Sequence, residues 1–337
     1  MGKNILLEHG SGGIISLNLI KEMFIKYFDN PVLNKQTDSA LLSTESDLIS
    51  FTTDSYVVDP LFFPGGNIGK LAVCGTVNDL AVSGAIPKFI SVSFILEEGF
   101  SFEELELIVS SIADEAKKSE VMIVTGDTKV VNRGKCDKLF INTSGIGILN
   151  KKYKHISTCD NIIPGDKIII NGTIGDHGMA VMAARDFAGF KTDIKTDCAS
   201  LNFLIRDVLD ANCNVKFIRD ATRGGIATIL CELTEKMNIG IEIEESAVPV
   251  REAVRGMCEL LGFDPFYVAN EGKVIMITSA EDAERVVEVM RQNEYGADCS
   301  VIGEITGNHI GKTILRTTIG GRRIIEMLSG EQLPRIC

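Results

Sequence analysis

Hydrophobic periodicity constrains this chain most. Strand-like and helix-like stretches alternate, and the alternation runs twice, once on each side of a break at residues 150–166. In the first half, residues 48–53 read as a strand. Residues 68–83 read as a helix stopped by Gly84, and 89–96 as a strand of β-branched and aromatic residues. Ser101 opens another helix, which runs to Lys118; Glu104 three positions on completes a capping box. Residues 121–124 and 139–149 are strands again. In the second half, strands are expected at 167–171, 239–243, 274–278 and 300–305. Helices are expected at 176–187, 199–211, 228–237, 251–261 and 283–292. Lys151, Lys152, Pro164 and Gly165 interrupt the pattern between the halves. The expectation is an α+β chain in two halves, and 337 residues let each half bury its own core. No short-period repeat is present.

The two ends differ from this pattern. A glycine-rich stretch from His9 to Gly13 precedes a helical segment at 16–27. From Ser329 the chain reads Ser-Gly-Glu-Gln-Leu-Pro-Arg-Ile-Cys, without periodicity, and Pro334 blocks helix continuation. Such a tail is expected to move in some state. The divisions are then 1–40, the glycine-rich segment and helix; 41–150; 151–328; and 329–337, a tail carrying Cys337.

The net charge of -12, with no run of Lys and Arg longer than two, argues against nucleic acid as a partner. Phosphates bound to so acidic a chain would need metal ions to offset both them and the local carboxylates. Nine scattered cysteines without a CxxC pair read as reduced thiols in a cytoplasm, most of them simple core packing. No signal pattern opens the chain, and no apolar stretch approaches the ~20 residues of a membrane span.

Chemistry is expected first at carboxylates. Asp38, Asp54, Asp79, Asp127 and Asp220 each sit at or near the end of an apolar run. One such residue is ordinarily a cap or a turn. Five of them, most beside Gly, Asn or Thr, suggest a shared Mg2+–phosphate site, because a hard cation prefers carboxylate and phosphate oxygens. The loops Gly10-Ser11-Gly12-Gly13 and Asp220-Ala221-Thr222-Arg223-Gly224-Gly225 each precede a helix, where backbone N–H groups favour anions. Arg223 adds a forked donor. Gly65 to Lys70 only mimics a Walker A loop: Pro64 and Leu71 stand where Gly and Ser or Thr are required. His177, between Asp176 and Gly178 at a helix start, is a candidate phosphate contact, and His9 a weaker one; either could instead be a loop hydrogen-bonder. Cys337 is either a stray terminal thiol or a group that swings on roughly 30 Å of extended tail into a cleft.

Together, several segments resemble the HypE hydrogenase-maturation family, carbamoyl dehydratases of the PurM (AIR synthetase-like) superfamily. They are His9-Gly10-Ser11-Gly12-Gly13, Thr52-Thr53-Asp54-Ser55, Asn78-Asp79-Leu80-Ala81, Gly126-Asp127-Thr128-Lys129-Val130-Val131, Arg219-Asp220 with Thr222-Arg223-Gly224-Gly225, and the ending Pro334-Arg335-Ile336-Cys337. The aspartate and glycine blocks are shared across the superfamily, whereas the ending is specific. Ala221 is a small departure, where relatives often have Pro. The resemblance implies a two-domain PurM-like fold. A ferredoxin-like N-terminal domain would bind ATP and dimerise through its sheet, and a C-terminal α/β domain and flexible tail would follow. It implies ATP and Mg2+ as cofactors, with Gly12, Asp38, Asp54, Asn78, Asp79, Asp127, Asp220 and Arg223 around the nucleotide and the five aspartates around the metal.

It also implies a reaction. A carbamoyltransferase, HypF, loads Cys337; ATP-driven dehydration turns the thiocarboxamide into a thiocyanate; a HypC–HypD complex takes the cyanide toward the iron of a nickel–iron hydrogenase. Lys129 and Glu271 are the implied bases. Asp127 and phosphates would keep Lys129 charged, so it reads as an electrostatic stabiliser and Glu271 as the base. The rivals are a superfamily kinase or synthetase acting on a free substrate, and a carrier that only presents Cys337.

Overall fold

The computed structural model describes the chain except residues 1–3, 11–12, 36–39, 41, 45–47, 186–191, 329–332 and 334–335, and the side chains of 13 and 14. Gly12, Asp38 and most of the expected tail therefore lie outside the described residues.

A four-stranded sheet carries the first half. Its strands are β1 (Ile49–Tyr56), β2 (Ala85–Glu97), β3 (Met122–Val131) and β4 (Leu139–Leu149), in the order β1-β4-β2-β3. Strands β2 and β3 run parallel, and the helix α2 (Phe102–Lys118) supplies the crossover that a parallel pair needs. Ser101 caps α2 by accepting from the Glu104 N–H at 3.4 Å. Leu105, Ile108, Val109 and Ile112, at helical spacing, then face the core.

Helix α1 (Ile68–Val82) is apolar on nearly all sides and is buried accordingly. Gly69 and Gly75 permit close approach. A Cβ at Gly69 would meet the Ile108 carbonyl at 2.4 Å, and one at Gly75 the Tyr56 hydroxyl at 2.3 Å.

A seven-stranded sheet carries the second half. Its strands are β5 (Lys167–Ile170), β6 (Val215–Asp220), β7 (Gly240–Glu244), β8 (Val274–Thr278), β9 (Ser300–Thr306), β10 (Thr313–Arg316) and β11 (Arg322–Ile325). Their order is β11-β10-β7-β9-β5-β8-β6. The isoleucine run of β5 follows from burial on both faces. Ile168 and Ile170 join a core with α5 (Gly225–Lys236), while Ile169 joins one with α4 (Asn202–Asp210).

The structure departs from the periodicity in identifiable ways. Strands β6, β10 and β11 were not expected: Lys216 and Arg219 interrupt the apolar pattern of the first, and the other two are short and carry Arg316, Arg322 and Arg323. Helix α4 begins at Asn202 rather than 199. The preceding backbone is held elsewhere: the Leu201 N–H donates to Asn78 Oδ1 at 2.8 Å, and the Ala199 carbonyl accepts from Asn78 Nδ2 at 3.0 Å.

One core runs from α1 and α2 into α3 (Asp176–Ala184), and the chain's last residues belong to it. Ile336 is buried, and the Val57 N–H donates to the Cys337 carbonyl at 3.3 Å. The expected mobile tail is thus seen here with its end docked.

Register fixes what the outer face of the four-stranded sheet presents. Ile49, Ile148 and Ile86 form one row across it, and Phe51, Ile146, Phe89 and Met122 the next. Phe51 is 65% exposed. Further along, Ser55, Asn142, Ser93 and Asp127 form a polar row.

Candidate active site

Three carboxylates reach one place because three elements end there. Asp54 lies near the end of β1, Asp79 on the last turn of α1, and Asp220 at the end of β6. They line a cavity of about 510 Å³ together with Arg223, Glu271 and Cys337. Asp79 accepts from Thr52 Oγ1 at 2.7 Å. Its carboxyl is held above the ordinary range by burial, and the Asp54 charge adds to this. Burial, with Asp79 and Asp54 nearby, pushes Asp220 up to about 7. A cluster of this kind is short of positive charge.

The loop after Asp220 supplies anion-binding groups. Gly224 and Gly225 take φ of +71° and +58°, and a Cβ at Gly225 would lie 2.5 Å from the Phe266 carbonyl. The turn opens α5, and its residues Thr222, Arg223 and Gly224 line the cavity.

Glu271 is buried, and its Oε1 has no hydrogen-bond partner among the described residues. Burial first, then the charges of Asp220, Asp197 and Asp54, hold its carboxyl well above the usual range. Its backbone is fixed from two directions. Asp197 accepts from the Glu271 N–H at 3.1 Å and the Gly272 N–H at 3.3 Å, and Asp197 pairs with Lys273 at 3.0 Å. Asn78 Nδ2 donates to the Glu271 carbonyl at 3.4 Å. The Cys337 thiol is pushed up to about 12 by burial and by Glu271.

Not all expected residues meet here. Asn78 does not line the cavity: its side chain is spent on the backbone of Ala199, Leu201 and Glu271, so it supports the site from behind. Asp127 and Lys129 line a second cavity with His9, Gly10 and the first helical segment. They pair with each other at 3.1 Å and are more than half exposed. The cause is strand alternation: Asp127 shares a row with Ser55, so it projects opposite to Asp54. His177 does not reach the cavity as a phosphate contact, because both ring nitrogens are occupied elsewhere. His9 bonds Leu6 through Nδ1 and packs against the Phe102 ring. Among the described residues no three His, Cys, Asp or Glu side chains converge on a metal position. Asp54, Asp79 and Asp220 fit Mg2+ only as partial ligands, with phosphate oxygens and water completing the shell. Periodicity missed Tyr56, Gly75 and Asp197; glycine inside an apolar helix pattern was the available signal for Gly75.

Two family models cover most of the chain. The N-terminal domain of AIR synthase related protein matches residues 36–149, and the C-terminal domain matches 164–316. Carbamoyl dehydratase HypE of Rhodobacter capsulatus is 45% identical over 337 residues, covering 99% of this chain and 98% of that one. The same protein of Escherichia coli is 45% identical over 339 residues, with 99% of both chains covered. The chain belongs to the HypE family of carbamoyl dehydratases. A crystal structure of a HypE in complex with ATP superposes with a TM-score of 0.94 at 44% identity, covering 98% of this chain and 99% of that one. A HypE in a HypE–HypF complex superposes with a TM-score of 0.78 at 46% identity, covering 92% and 99%. Membership makes this chain a hydrogenase-maturation enzyme with two PurM-like domains. No helix among the described residues is long and apolar enough to cross a membrane.

Proposed function

We propose that this chain uses ATP to dehydrate an S-carbamoyl group on its own Cys337 to an S-cyanate, the source of the cyanide ligand of a nickel–iron hydrogenase. One observation carries the reading: the terminal thiol lines the same cavity as Asp54, Asp79, Asp220, Arg223 and the unpartnered carboxyl of Glu271. The carbamoyl oxygen is a poor leaving group. Transfer of the γ-phosphoryl of ATP to it gives ADP and converts the oxygen into a phosphate leaving group. Loss of two N–H protons and of phosphate then leaves S–C≡N. Arg223 and the α5 N-terminus would hold the transferring phosphoryl, and Mg2+ on one or two of the aspartates, with phosphate oxygens and water completing its shell, would offset its charge. Glu271 takes an N–H proton, a role that a carboxyl with a raised pKa serves well near neutral pH.

The partners follow from the family resemblance, and a HypE–HypF complex among the similar structures supports the first of them. A HypF-type carbamoyltransferase must load the thiol, and a HypC–HypD-type complex must remove the cyanide, in the cytoplasm. The test is mass spectrometry of the C-terminal peptide. With carbamoyl phosphate, ATP and the carbamoyltransferase, Cys337 should gain the mass of a carbamoyl group. On reaction with ATP it should then lose that of one water. A peptide unmodified in both steps sinks the reading.

We also propose that the chain works as a homodimer joined through the outer face of its four-stranded sheet. The exposed rows containing Ile49, Phe51, Ile86 and Met122 support this, since a monomer rarely leaves such a face bare. The two-fold symmetry would count each substitution twice. Phe51→Glu is therefore expected to weaken association by about 100-fold or more, read by sedimentation as conversion to monomer. A dimer of unchanged strength would remove this face as the interface.

A further inference from the structure

The end of the tail is held by side chains that do not themselves line the cavity. His177 stands in the first turn of α3 with no exposure, its ring edge-on to Phe63 at 5.4 Å between centroids. Its Nε2 lies 2.9 Å from the Ile336 carbonyl and its Nδ1 2.7 Å from Thr196 Oγ1. A carbonyl can only accept, so Nε2 carries the hydrogen. In a neutral ring Nδ1 then accepts from the Thr196 hydroxyl. Thr196 Oγ1 is itself fixed by the Cys198 N–H at 3.0 Å, and the Thr196 N–H by the Pro64 carbonyl at 2.8 Å. Burial lowers the His177 pKa and keeps the ring neutral. The neighbouring Gly178 completes the seat: a Cβ there would stand 3.2 Å from Leu333 Cδ1 of the tail.

We propose that His177, oriented by Thr196, is the latch that holds the tail in the cavity and so positions Cys337 beside Glu271. The next residue of the same strap, Asp197, fixes the backbone of Glu271. Two consecutive residues thus set the thiol and the base relative to each other. His177 touches no reacting atom; it is a positioning residue, and its consequence for catalysis rests on the proposed role of Cys337. Release of the latch exposes the thiol for loading, and closure buries it for dehydration.

The test compares the full-length protein with two variants. His177→Phe keeps a ring against Phe63 and removes both nitrogens; His177→Gln restores one N–H donor. Thiol-specific alkylation is followed by mass spectrometry at Cys337 and, as a local control, at buried Cys198. Docking raises the thiol pKa and hides it, so the Phe variant should alkylate Cys337 about ten-fold faster. The Gln variant should stay within about three-fold of the parent. Cys198 should remain slow in both. With the carbamoyltransferase, the Phe variant should load at least as fast as the parent yet dehydrate more slowly. An unchanged Cys337 rate in the Phe variant, equal rates in Phe and Gln, or parallel acceleration at Cys198 would each overturn the latch. If the Phe variant does not fold, imidazole nitrogen NMR of the unaltered protein decides: an Nε2–H tautomer at His177 supports the latch, and an Nδ1–H tautomer rules it out. Alkylation needs no carbamoylation, so the latch can stand even where the proposed reaction fails.

Discussion

Glu271→Gln is expected to lower cyanate formation on Cys337 by about 10²–10⁴-fold, to leave ATP binding intact, and to raise the stability of the fold. The two halves of this result share one cause. Burial and the surrounding carboxylates raise the pKa of the Glu271 carboxyl well above the usual range, and among the described residues one of its oxygens has no hydrogen-bond partner. An unfolded chain releases that proton above about pH 4.3, whereas the folded chain keeps it until its raised pKa is passed. Folding therefore takes up a proton within that window, so this group's contribution is full below the unfolded pKa and is lost as pH rises toward the folded one. The loss accrues at about 1.4 kcal/mol per pH unit of the window. Glutamine keeps the shape and does not titrate. Its advantage should thus be absent near pH 4 and grow as pH rises toward the folded pKa. Calorimetry at several pH values, beside mass spectrometry of the tail peptide, reads both effects. A variant that still forms cyanate would remove Glu271 as the base; one with a flat or falling stability difference would contradict its raised pKa.

That trade explains which parts of the site a sequence can disclose. Asp54, Asp79 and Asp220 were legible because each ends an apolar run, and element ends are local properties of the chain. The role of Asn78 was not, since its partners are the backbones of Ala199, Leu201 and Glu271, more than a hundred positions away. His177 read as a candidate phosphate contact and Asp197 drew no notice, because their partners in the tail and at residues 271–273 are remote in sequence. The two-sheet plan was legible from alternation, and the continuous isoleucines of β5 foreshadowed its burial on both faces. The short strands β10 and β11 lay below the reach of periodicity, because pairing with β7 and with each other, not their own residues, defines them. Alternation also assigns a residue to a face only within its own strand. Relating Asp127 to Asp54 required the register across β4 and β2.

That register leads to the last expected result. Lys129→Ala and Cys337→Ala should each abolish cyanate formation, and dimers formed from a mixture of the two should recover about a quarter of the parent activity. In one protomer, Asp127 lies in a row with Ser93, Asn142 and Ser55, on the side of the sheet away from Asp54. Lys129 is two residues on and points the same way. The cavity that holds Cys337 opens at the β1 edge of the sheet, lined by residues 53–57 and by Asp79 of α1. Strands β4 and β2 separate β1 from β3, about 14 Å at the usual strand spacing, which no rotation of the Lys129 side chain spans. A second copy docked on the outer face would instead bring the open edge strand β3 of one protomer toward the β1 end of the other. Lys129 would then serve the partner's thiol. In random mixing half the dimers pair the two variants, and one of the two sites in each joins an intact Lys129 to an intact Cys337. If Lys129 acted within its own protomer, no site would be whole and the mixture would stay inactive. Recovery therefore tests two claims at once, that the outer face is the dimer interface and that the separation of Lys129 from Cys337 is a property of the single chain. A dead mixture of variants that still dimerise would require Lys129 to reach its own protomer's site by a movement of β3.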